Sequence, residues 1–319
     1  MLNSQLQTKT TGTTRDGFGI GLKEAAAENQ LVVGLCADLT ESTRMHWFAQ
    51  AFPERFLQMG VAEENMVGVA AGLALTGKTA VAASYAVFSP GNSLGPIRAS
   101  VCYSNLPVII VGGHAGLTTG QDGATHQALE DIAIMRSLPN MSVLVPADQE
   151  EARKAIQALI AQKSPGYIRT SKHEIAIITT RDAQFKIGQA ITLKEGTDAT
   201  IIACGNMVSS ALSAAQALTS EGISARVLNM HTIKPLDTAA ILKAAQETKA
   251  IVTVEEHQIY GGLGSAVAEV LAQSKFHPAF KIMGVADTFG ESGDGSQLLE
   301  KYGLSPTNIQ DTITALLST

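Results

Sequence analysis

The chain reads Val108-Ile-Ile-Val-Gly-Gly-His114 and continues Ala-Gly-Leu-Thr-Thr-Gly-Gln-Asp122-Gly-Ala-Thr-His126, a short apolar run followed by a long polar loop. The apolar run is typical of a strand that is buried on both faces of a parallel sheet. The loop is too long and too rich in glycine to be a tight turn. In open α/β sheets, ligands bind beyond the carboxyl ends of the strands. We therefore expect this loop to carry part of a ligand-binding site.

The same alternation of apolar strands and helical patterns fills the first half of the chain. Asp16 is the predicted N-cap of the first helix. Strands that are each followed by a helix imply a parallel sheet covered on both faces. The predicted strands are 31–37, 78–84, 108–112, 142–145 and 167–170, and the predicted helices are 16–29, 65–75, 93–103, 127–136 and 149–162. The loops beyond the strands, where a site is expected, are 38–44, 85–92, 113–126 and 171–174.

A second series of strands begins after a polar, weakly patterned segment at 181–196, which we interpret as a linker. The predicted strands are 199–204, 226–230, 251–254 and 280–284, and the predicted helices are 208–220, 239–248, 264–273 and 308–317. We predict two doubly wound α/β domains, at residues 1–185 and 186–319. The first has a mostly parallel sheet, and the second is smaller.

Composition and charge argue against several functional classes. The net charge is −6 and no Lys/Arg cluster exceeds a pair, so the chain lacks an electrostatic footprint for nucleic acid. No apolar run approaches the roughly 20 residues that span a bilayer, and the N-terminal segment lacks the apolar core of a signal peptide. Cys36, Cys102 and Cys204 are far apart in apolar contexts, which favours buried thiols in a reducing compartment. A cytoplasmic protein is expected.

Two adjacent carboxylates, Glu63 and Glu64, open a nearly uncharged helix rich in small residues. An acidic pair at a helix N-terminus is favoured by the helix dipole, and this structural interpretation comes first. The alternative is a carboxylate held at a buried helix start, where burial and the dipole shift its pKa in opposite directions. Such a group is a candidate for proton transfer.

The loop from His114 to His126 holds two histidines and Asp122 within thirteen residues, more than a structural loop requires. A metal site is one alternative, although no third close ligand has the usual spacing. Hydrogen bonding to a hydroxylated substrate, or proton transfer, is favoured.

A glycine-rich segment, Gly261-Gly-Leu-Gly264, opens a helix after a strand. A dinucleotide-binding fingerprint is one interpretation, but the spacing is not G-x-G-x-x-G and Glu255 and Glu256 precede it. Close packing of helix on strand, or anion binding at the helix N-terminus, is favoured.

Taken together, six segments resemble the C-terminal two-thirds of transketolases, and the resemblance covers nearly the whole chain. The segments are Ala37-Asp-Leu-Thr-Glu-Ser42, Val61-Ala-Glu-Glu-Asn-Met66, His114 to Gln127, Leu138-Pro-Asn-Met-Ser-Val-Leu-Val-Pro-Ala-Asp148, Val254-Glu-Glu-His-Gln-Ile-Tyr-Gly-Gly-Leu-Gly-Ser265 and Gly284-Val-Ala-Asp-Thr-Phe-Gly-Glu-Ser-Gly293. Full-length transketolases begin with a domain whose Gly-Asp-Gly…Asn motif holds Mg²⁺ and the cofactor diphosphate. No such motif precedes Thr14. The resemblance therefore implies the second subunit of a split transketolase, made of the pyrimidine-binding and C-terminal domains.

The resemblance implies that the cofactor is thiamine diphosphate and that each matching residue takes the family's role. Glu63 is then the catalytic carboxylate that hydrogen-bonds N1′ of the aminopyrimidine. Tyr85 and Phe88 pack on the pyrimidine ring, and Asp38 lies in the loop that supports the thiazolium region. His114 and Asp122 contact substrate hydroxyls or phosphate, and His126 assists proton transfer near the reacting carbonyl. The residues implied to hold the substrate phosphate are Arg15, Ser42 and Lys172, with Arg169 as a further candidate.

Three departures from the family pattern bear on substrate identity and cofactor affinity. The family usually has arginine at Lys172, so bidentate phosphate binding is lost there, and Arg169 is the candidate to compensate. One pyrimidine-packing aromatic is replaced around Gly91-Asn92. Ala62 and Glu64 replace the family's common arginine and histidine or phenylalanine.

The implied activity is reversible transfer of a two-carbon ketol unit from a ketose phosphate to an aldose phosphate. It implies a separate diphosphate-binding subunit that holds most of the Mg²⁺ ligands, in an α2β2 assembly, with no metal site in this chain.

Four alternatives stay open. A 1-deoxyxylulose-5-phosphate synthase would have Gln-His at Glu64-Asn65, and a 2-oxo-acid dehydrogenase β subunit would lack the segment Asp122-Gly-Ala-Thr-His126. A non-catalytic partner subunit and a nicotinamide oxidoreductase are more remote.

Overall fold

The computed structural model describes residues 10–318 of the chain as alternating strands and helices. The strands are β1 (Thr11–Gly12), β2 (Val32–Cys36), β3 (Phe56–Gln58), β4 (Thr79–Tyr85), β5 (Val108–Gly113), β6 (Ser142–Leu144), β7 (Gly166–Arg169), β8 (Ile175–Ala176), β9 (Ile191–Lys194), β10 (Ala199–Ala203), β11 (Ala225–Asn229), β12 (Thr232–Lys234), β13 (Ala250–Gln258) and β14 (Ala279–Val285). The helices are α1 (Thr14–Glu28), α2 (Met45–Ala51), α3 (Glu63–Leu75), α4 (Leu94–Pro96), α5 (Asp131–Ser137), α6 (Gln149–Gln162), α7 (Met207–Ser220), α8 (Thr238–Glu247), α9 (Leu263–Ala272), α10 (Gly295–Lys301) and α11 (Pro306–Leu317).

The first sheet has seven strands in the order β12-β6-β7-β5-β4-β2-β3, and only the edge strand β12 runs antiparallel to its neighbour. Strands β2, β4 and β5 are buried along nearly their whole length because helices cover both faces. Helices α1, α2 and α6 pack on one face, with Phe18, Phe48 and Ile156 in that core. Helices α3 and α5 pack on the other. The predicted, mostly parallel sheet is confirmed.

The second sheet has five strands in the order β14-β13-β10-β11-β9, and its strands are parallel except for the edge strand β9. Helices α7 and α11 pack on one face with α10. Helices α8 and α9 lie on the other face, where their apolar side chains join the same core as α3 and α5 of the first sheet. The two halves of the chain therefore share a hydrophobic core as well as a sheet.

Several element boundaries differ from the prediction for local reasons. Helix α1 begins at Thr14, and its N-cap is Thr13, whose hydroxyl accepts a hydrogen bond from the Asp16 backbone N–H at 3.1 Å. The prediction of Asp16 as the N-cap is therefore wrong by one turn. The helix predicted at 93–103 is α4 followed by a π-helical segment, Ile97–Cys102. The predicted linker at 181–196 contains β9. No helix within residues 10–318 is long and apolar enough to cross a membrane.

Candidate active site

An aromatic cluster lies at the carboxyl ends of β4 and β5. The two strands are neighbours, and Tyr85 at the end of β4 is paired with Gly113 at the end of β5. The Tyr85 ring therefore stacks on the imidazole of His114, with ring centroids 4.0 Å apart, and lies 6.0 Å from the nearly parallel ring of Phe88. The His126 ring stands edge-on to Phe88 at 5.4 Å. The structure thus brings together four residues that the sequence singled out in two different loops.

The imidazole of His114 is the most perturbed titratable group in this cluster. Its side chain is 3% exposed, and burial lowers its pKa to about 3, with further lowering by the nearby charges of Arg15 and Lys172. The ring is therefore neutral near pH 7. Its Nδ1 atom is buried and has no hydrogen-bond partner in the described part of the chain. A buried polar atom without a partner is unfavourable, so it is available to a bound ligand.

Charged side chains of both signs surround His114. The Lys172 ammonium donates a hydrogen bond to Asp122 at 2.7 Å, and this bond holds the pKa of Asp122 below its ordinary value. Arg15 donates to the Ser42 carbonyl oxygen at 3.2 Å, while its Nε atom is buried and without a partner among residues 10–318. Burial lowers the pKa of Arg15, as does the charge of Arg44. The arrangement leaves donors of Arg15 and Lys172 available beside a neutral histidine, which suits an anionic ligand.

Arg44 is a cation near this site that the sequence analysis did not single out. Its guanidinium forms an ion pair with Asp16 at 2.5 Å and lies over the Trp47 ring. Its backbone has a positive φ of 67°, which is uncommon outside glycine. Arg44 ends the loop at 38–44, so its place beyond a strand was the signal that could have identified it.

Glu63 lies at a different part of the same sheet edge, at the start of the helix that follows β3. It is the first residue of α3 and 8% exposed, yet its carboxylate has no hydrogen bond or ion pair with any described residue. A cleft of about 660 Å³ lies beside it, and its lining consists of Ala62, Glu63, Glu64, Asn65, Gly68 and Asn92. Asn92 donates its backbone N–H to the Phe88 carbonyl at 2.7 Å, so this cleft borders the loop that carries Phe88.

Asp38 lies beyond the end of β2 and is exposed, with a positive φ of 59°. Its backbone N–H donates to the side-chain oxygen of Gln58 at 2.9 Å. Among residues 10–318, Asp38 has no hydrogen bond or ion pair to the aromatic cluster. The structure therefore places it at the same edge of the sheet without joining it to the other site residues.

Arg169, the candidate to compensate for Lys172 at a phosphate, makes several internal contacts. Its side chain is 7% exposed, and its Nε donates to the buried carboxylate of Asp131 at 2.9 Å. The other end of the guanidinium donates to the carbonyl oxygens of Ala128 and Glu256. These internal acceptors occupy Nε and one terminal nitrogen of the guanidinium, and the role of Arg169 at a phosphate stays a prediction.

The glycine-rich segment before α9 is occupied by an internal anion. The Glu255 carboxylate accepts hydrogen bonds from the backbone N–H groups of Leu263 and Gly264, both at 2.7 Å. A Cβ on Gly262 would lie 2.1 Å from that carboxylate, and one on Gly264 would lie 2.4 Å from Ile282. Close packing therefore explains these glycines.

Within the described residues, no group of three or more His, Cys, Asp or Glu side chains could hold a metal ion.

Comparison with known proteins assigns both halves of the chain to one family. Residues 11–176 match the model for the transketolase pyrimidine binding domain, and residues 188–309 match the model for the transketolase C-terminal domain. The chain belongs to the transketolase family. Membership implies that the protein depends on thiamine diphosphate and that the chain is a subunit of a transferase-type enzyme.

Several relatives of this transketolase-family chain have nearly the same length. A 6-deoxy-6-sulfo-D-fructose transketolase subunit from a Clostridium strain is 41% identical over 92% of this chain and 91% of its own. A subunit of the apulose-4-phosphate transketolase from Phocaeicola vulgatus is 37% identical over 93% of this chain and 95% of its own. A solved structure, described as a split gene transketolase and an inactive beta4 tetramer, is 45% identical, has a TM-score of 0.90, and covers 96% of this chain and 98% of its own. The chain therefore resembles subunits of split transketolases.

Proposed function

We propose that this chain is the pyrimidine-binding subunit of a split transketolase, which moves a two-carbon ketol unit from a ketose phosphate to an aldose phosphate. The observation that carries the proposal is the carboxylate of Glu63, which is nearly buried at a helix start, faces an open cleft and has no partner among residues 10–318. A carboxylate that faces a cleft and has no donor within the described residues is free to accept a hydrogen bond from a ligand. A ring nitrogen that bears or shares a proton is such a donor.

The residues at this edge of the sheet fit thiamine diphosphate. Glu63 would hold the aminopyrimidine ring at its nitrogen, and Tyr85 and Phe88 would supply apolar ring faces. Asp38 would stand near the thiazolium region. When bound, the cofactor supplies the electron sink for cleaving the carbon–carbon bond beside a carbonyl. This chain would supply the position of the rings and, at Glu63, the carboxylate that shares a proton with the ring nitrogen.

The substrate would lie against the His114 cluster. Because His114 is neutral, its free nitrogen would exchange a hydrogen bond with a substrate hydroxyl or carbonyl group without adding charge. Asp122 would accept from a hydroxyl group, and His126 would transfer a proton near the reacting carbonyl. Arg15, Ser42 and Lys172 would face the phosphate. Lys172 already pairs with Asp122, so the phosphate end and the hydroxyl end of the substrate would be linked through one ion pair.

A separate diphosphate-binding subunit is part of the proposal, with Mg²⁺ held mainly by that subunit and an α2β2 assembly. The relatives that support it are themselves named as subunits, and the solved relative at 45% identity is described as an inactive beta4 tetramer. The substrate pair is left to experiment because these relatives are named for different sugars. The donor panel should therefore include a ketose phosphate, a sulfonated ketose and pyruvate, the last to detect synthase chemistry.

Replacing Glu63 with glutamine tests the proposal directly. The variant keeps the side-chain size but removes the carboxylate, so ketol transfer in the complex reconstituted with a diphosphate-binding subunit, thiamine diphosphate and Mg²⁺ should fall at least about a hundredfold. Assembly, measured by sedimentation, should be unchanged. The matched control is Glu54→Gln, which makes the same change at an exposed carboxylate that does not line the cleft. Turnover of the Glu63 variant near that of the control would overturn the assigned role, and absence of ketol transfer by the unmodified complex on every donor would overturn the function.

A further inference from the structure

The loop that carries His114, Asp122 and His126 is held in place by a buried carboxylate of the other half of the chain. Glu256 belongs to β13 and is 3% exposed. One carboxylate oxygen accepts the backbone N–H of Thr118 at 2.5 Å, and the other accepts the side-chain amide of Asn206 at 3.2 Å. Burial raises the pKa of Glu256, while the charge of Arg169 and the hydrogen bond from Thr118 oppose that rise. Two N–H donors on the two oxygens suit the ionised form, which makes stronger hydrogen bonds than a neutral acceptor.

The network continues from Thr118 to the other substrate-facing segments. The Thr118 hydroxyl lies 3.3 Å from the Ser171 hydroxyl, and the Ser171 backbone N–H donates to the Thr14 hydroxyl at 2.7 Å. The backbone N–H of Arg15 donates in turn to the Ser171 carbonyl at 3.3 Å. Lys172 follows Ser171 directly. One set of hydrogen bonds therefore joins the loop of Asp122 to the backbone beside two of the three proposed phosphate ligands, Arg15 and Lys172.

The fit between Glu256 and the loop is close enough to fix the backbone. Gly116 has a positive φ of 88°, and a Cβ there would lie 2.4 Å from the Glu256 carboxylate. Beyond Thr118, Gln127 donates to the carbonyl oxygens of Leu117 and of Glu291, and the Ser292 hydroxyl donates to the carbonyl of Gln121. The second half of the chain thus contacts this loop along its length, and the buried Glu256 side chain contacts it at Thr118.

We infer that Glu256 is a positioning residue for substrate binding, which sets the location of His114 and Asp122 relative to Arg15 and Lys172. The C-terminal domain would then take part in recognition of the sugar phosphate, although Glu256 itself touches no reacting atom. The substrate side of this inference rests on the proposed function. The effect on the loop is independent of it and can be measured in the isolated chain.

Glu255 provides a matched control, since it is the adjacent residue of β13 and is also fully buried. Its carboxylate accepts two backbone N–H groups at the start of α9, and neither belongs to the loop at 113–126. A general effect of removing a buried charge should therefore appear in both variants. An effect on the loop should appear only in Glu256→Gln.

A double variant tests whether the hydrogen-bond pattern itself is responsible. In Glu256→Gln the side-chain oxygen can accept from the Thr118 N–H only if the new NH₂ group points toward Asn206. The side-chain NH₂ of Asn206 already points to that position, so two donors would face each other. Adding Asn206→Asp supplies an acceptor at that point, and a carboxylate there is favoured by its place at the N-terminus of α7. The pair Glu256→Gln/Asn206→Asp should therefore restore the network with the net charge unchanged.

The first measurement is amide hydrogen exchange of the isolated chain, without cofactor or partner. Glu256→Gln should accelerate exchange at 113–126 by about tenfold, the loss expected for one charged hydrogen bond. Glu255→Gln should accelerate exchange at 262–266 instead, and the double variant should return 113–126 to the unmodified rate. Unchanged exchange at 113–126 in a folded Glu256→Gln chain, or the same acceleration in both single variants, would overturn the inference.

The second measurement is steady-state kinetics in the reconstituted complex. Glu256→Gln should raise KM for the sugar phosphate about tenfold while kcat and the affinity for thiamine diphosphate change by less than about threefold, and the double variant should recover most of the loss. Equal losses in KM and kcat, or equal KM changes in Glu255→Gln, would reduce Glu256 to a stabilising residue and overturn the recognition role. If the unmodified complex has no ketol transfer, the proposed function fails while the exchange result still stands.

Discussion

At the level of single residues, the buried imidazole of His114 links the site to stability. Its pKa is about 3 in the folded chain and near 6.5 when exposed, because burial and the charges of Arg15 and Lys172 disfavour the imidazolium. Between these two values the unfolded chain binds more protons than the folded chain. The free energy of unfolding therefore falls as pH is lowered from about 6.5 toward 3, by up to about 1.4 kcal/mol per pH unit.

Replacing His114 with glutamine should remove this dependence, since glutamine does not titrate. We expect the variant to lose less stability than the unmodified chain between about pH 6.5 and pH 5, as measured by urea unfolding of the isolated chain. His231, whose pKa burial lowers to about 4, contributes equally to both proteins. His277→Gln at an exposed position is the control. Parallel pH profiles for the His114 variant and the unmodified chain would contradict the assignment.

Residue patterns identified the site loops but not the backbone geometry within them. The four strand-end loops hold the aromatic cluster, its histidines, Asp122 and Lys172, as the rule for parallel sheets predicts, while Arg15 comes from α1. Asp38, Arg44 and His114 nevertheless adopt positive φ, which no local pattern indicates. Such conformations occur where surrounding contacts impose them, often at functional sites. The internal pairing of Arg169 with Asp131 escaped prediction for the same reason, because it depends on contacts far apart in sequence.

At the level of elements, α1 and α6 pack unusually closely through glycines. A Cβ on Gly17 would lie 1.9 Å from the carbonyl oxygen of Gln149, and one on Gly21 would lie 2.3 Å from that of Arg153. Both obstacles are backbone atoms, so a side chain could be accommodated only by separating the helices. Helix α1 also carries Arg15 in its first turn, so this packing fixes the approach of a proposed phosphate ligand.

Gly21→Ala should therefore destabilise the chain by about 1–3 kcal/mol, the usual range for overpacking, although alanine favours a helix. Gly72→Ala is the matched control, because Gly72 is also helical and a methyl group added there would have no atom within 4 Å. That variant should gain up to about 1 kcal/mol from helix propensity alone. Chemical denaturation would measure both. A stabilised Gly21 variant would show that the helices can separate freely.

Long, periodic elements were predictable to within a few residues, while short ones were not. Most buried strands and helices such as α6 have strong apolar patterns, and their predicted bounds hold closely. Strand β13 is the exception, because it continues to Gln258, four residues beyond the predicted end. Helices α2 and α10 and strand β3 were missed because each spans seven residues or fewer and is held by tertiary contacts rather than by a period of its own. Helix α5 begins at Asp131, four residues later than predicted, because Gln127 and Ala128 bond to the loop after β5.

At the level of the whole molecule, the two halves of the chain are joined by a shared sheet. Strand β12 comes from the second half and pairs antiparallel with β6 at the edge of the first sheet. The Lys234 ammonium donates to the carbonyl oxygens of Arg136 and Leu138 beside it. The domain boundary predicted at 185–186 remains a proposal. Strand β12 follows that boundary in sequence but belongs to the sheet of the first half.

We therefore expect one cooperative unfolding transition rather than two. Trp47 is the only tryptophan and lies in α2 of the first half, so its fluorescence reports that half, whereas far-ultraviolet circular dichroism reports both. The two midpoints in urea should coincide, and the calorimetric and van't Hoff enthalpies should agree. A tryptophan transition clearly separate from the dichroism transition would show that the halves unfold independently.

The pairing of β12 with β6 also has a consequence for synthesis on the ribosome. The edge of β6 lacks its neighbour until residue 234 has left the exit tunnel, well after the first half has been translated. An unpaired strand edge is a template for pairing with another chain. During synthesis there is thus an interval in which the first half of the chain can fold while the edge of β6 is still unpaired and prone to aggregation. Slowing translation after β7 should prolong that interval.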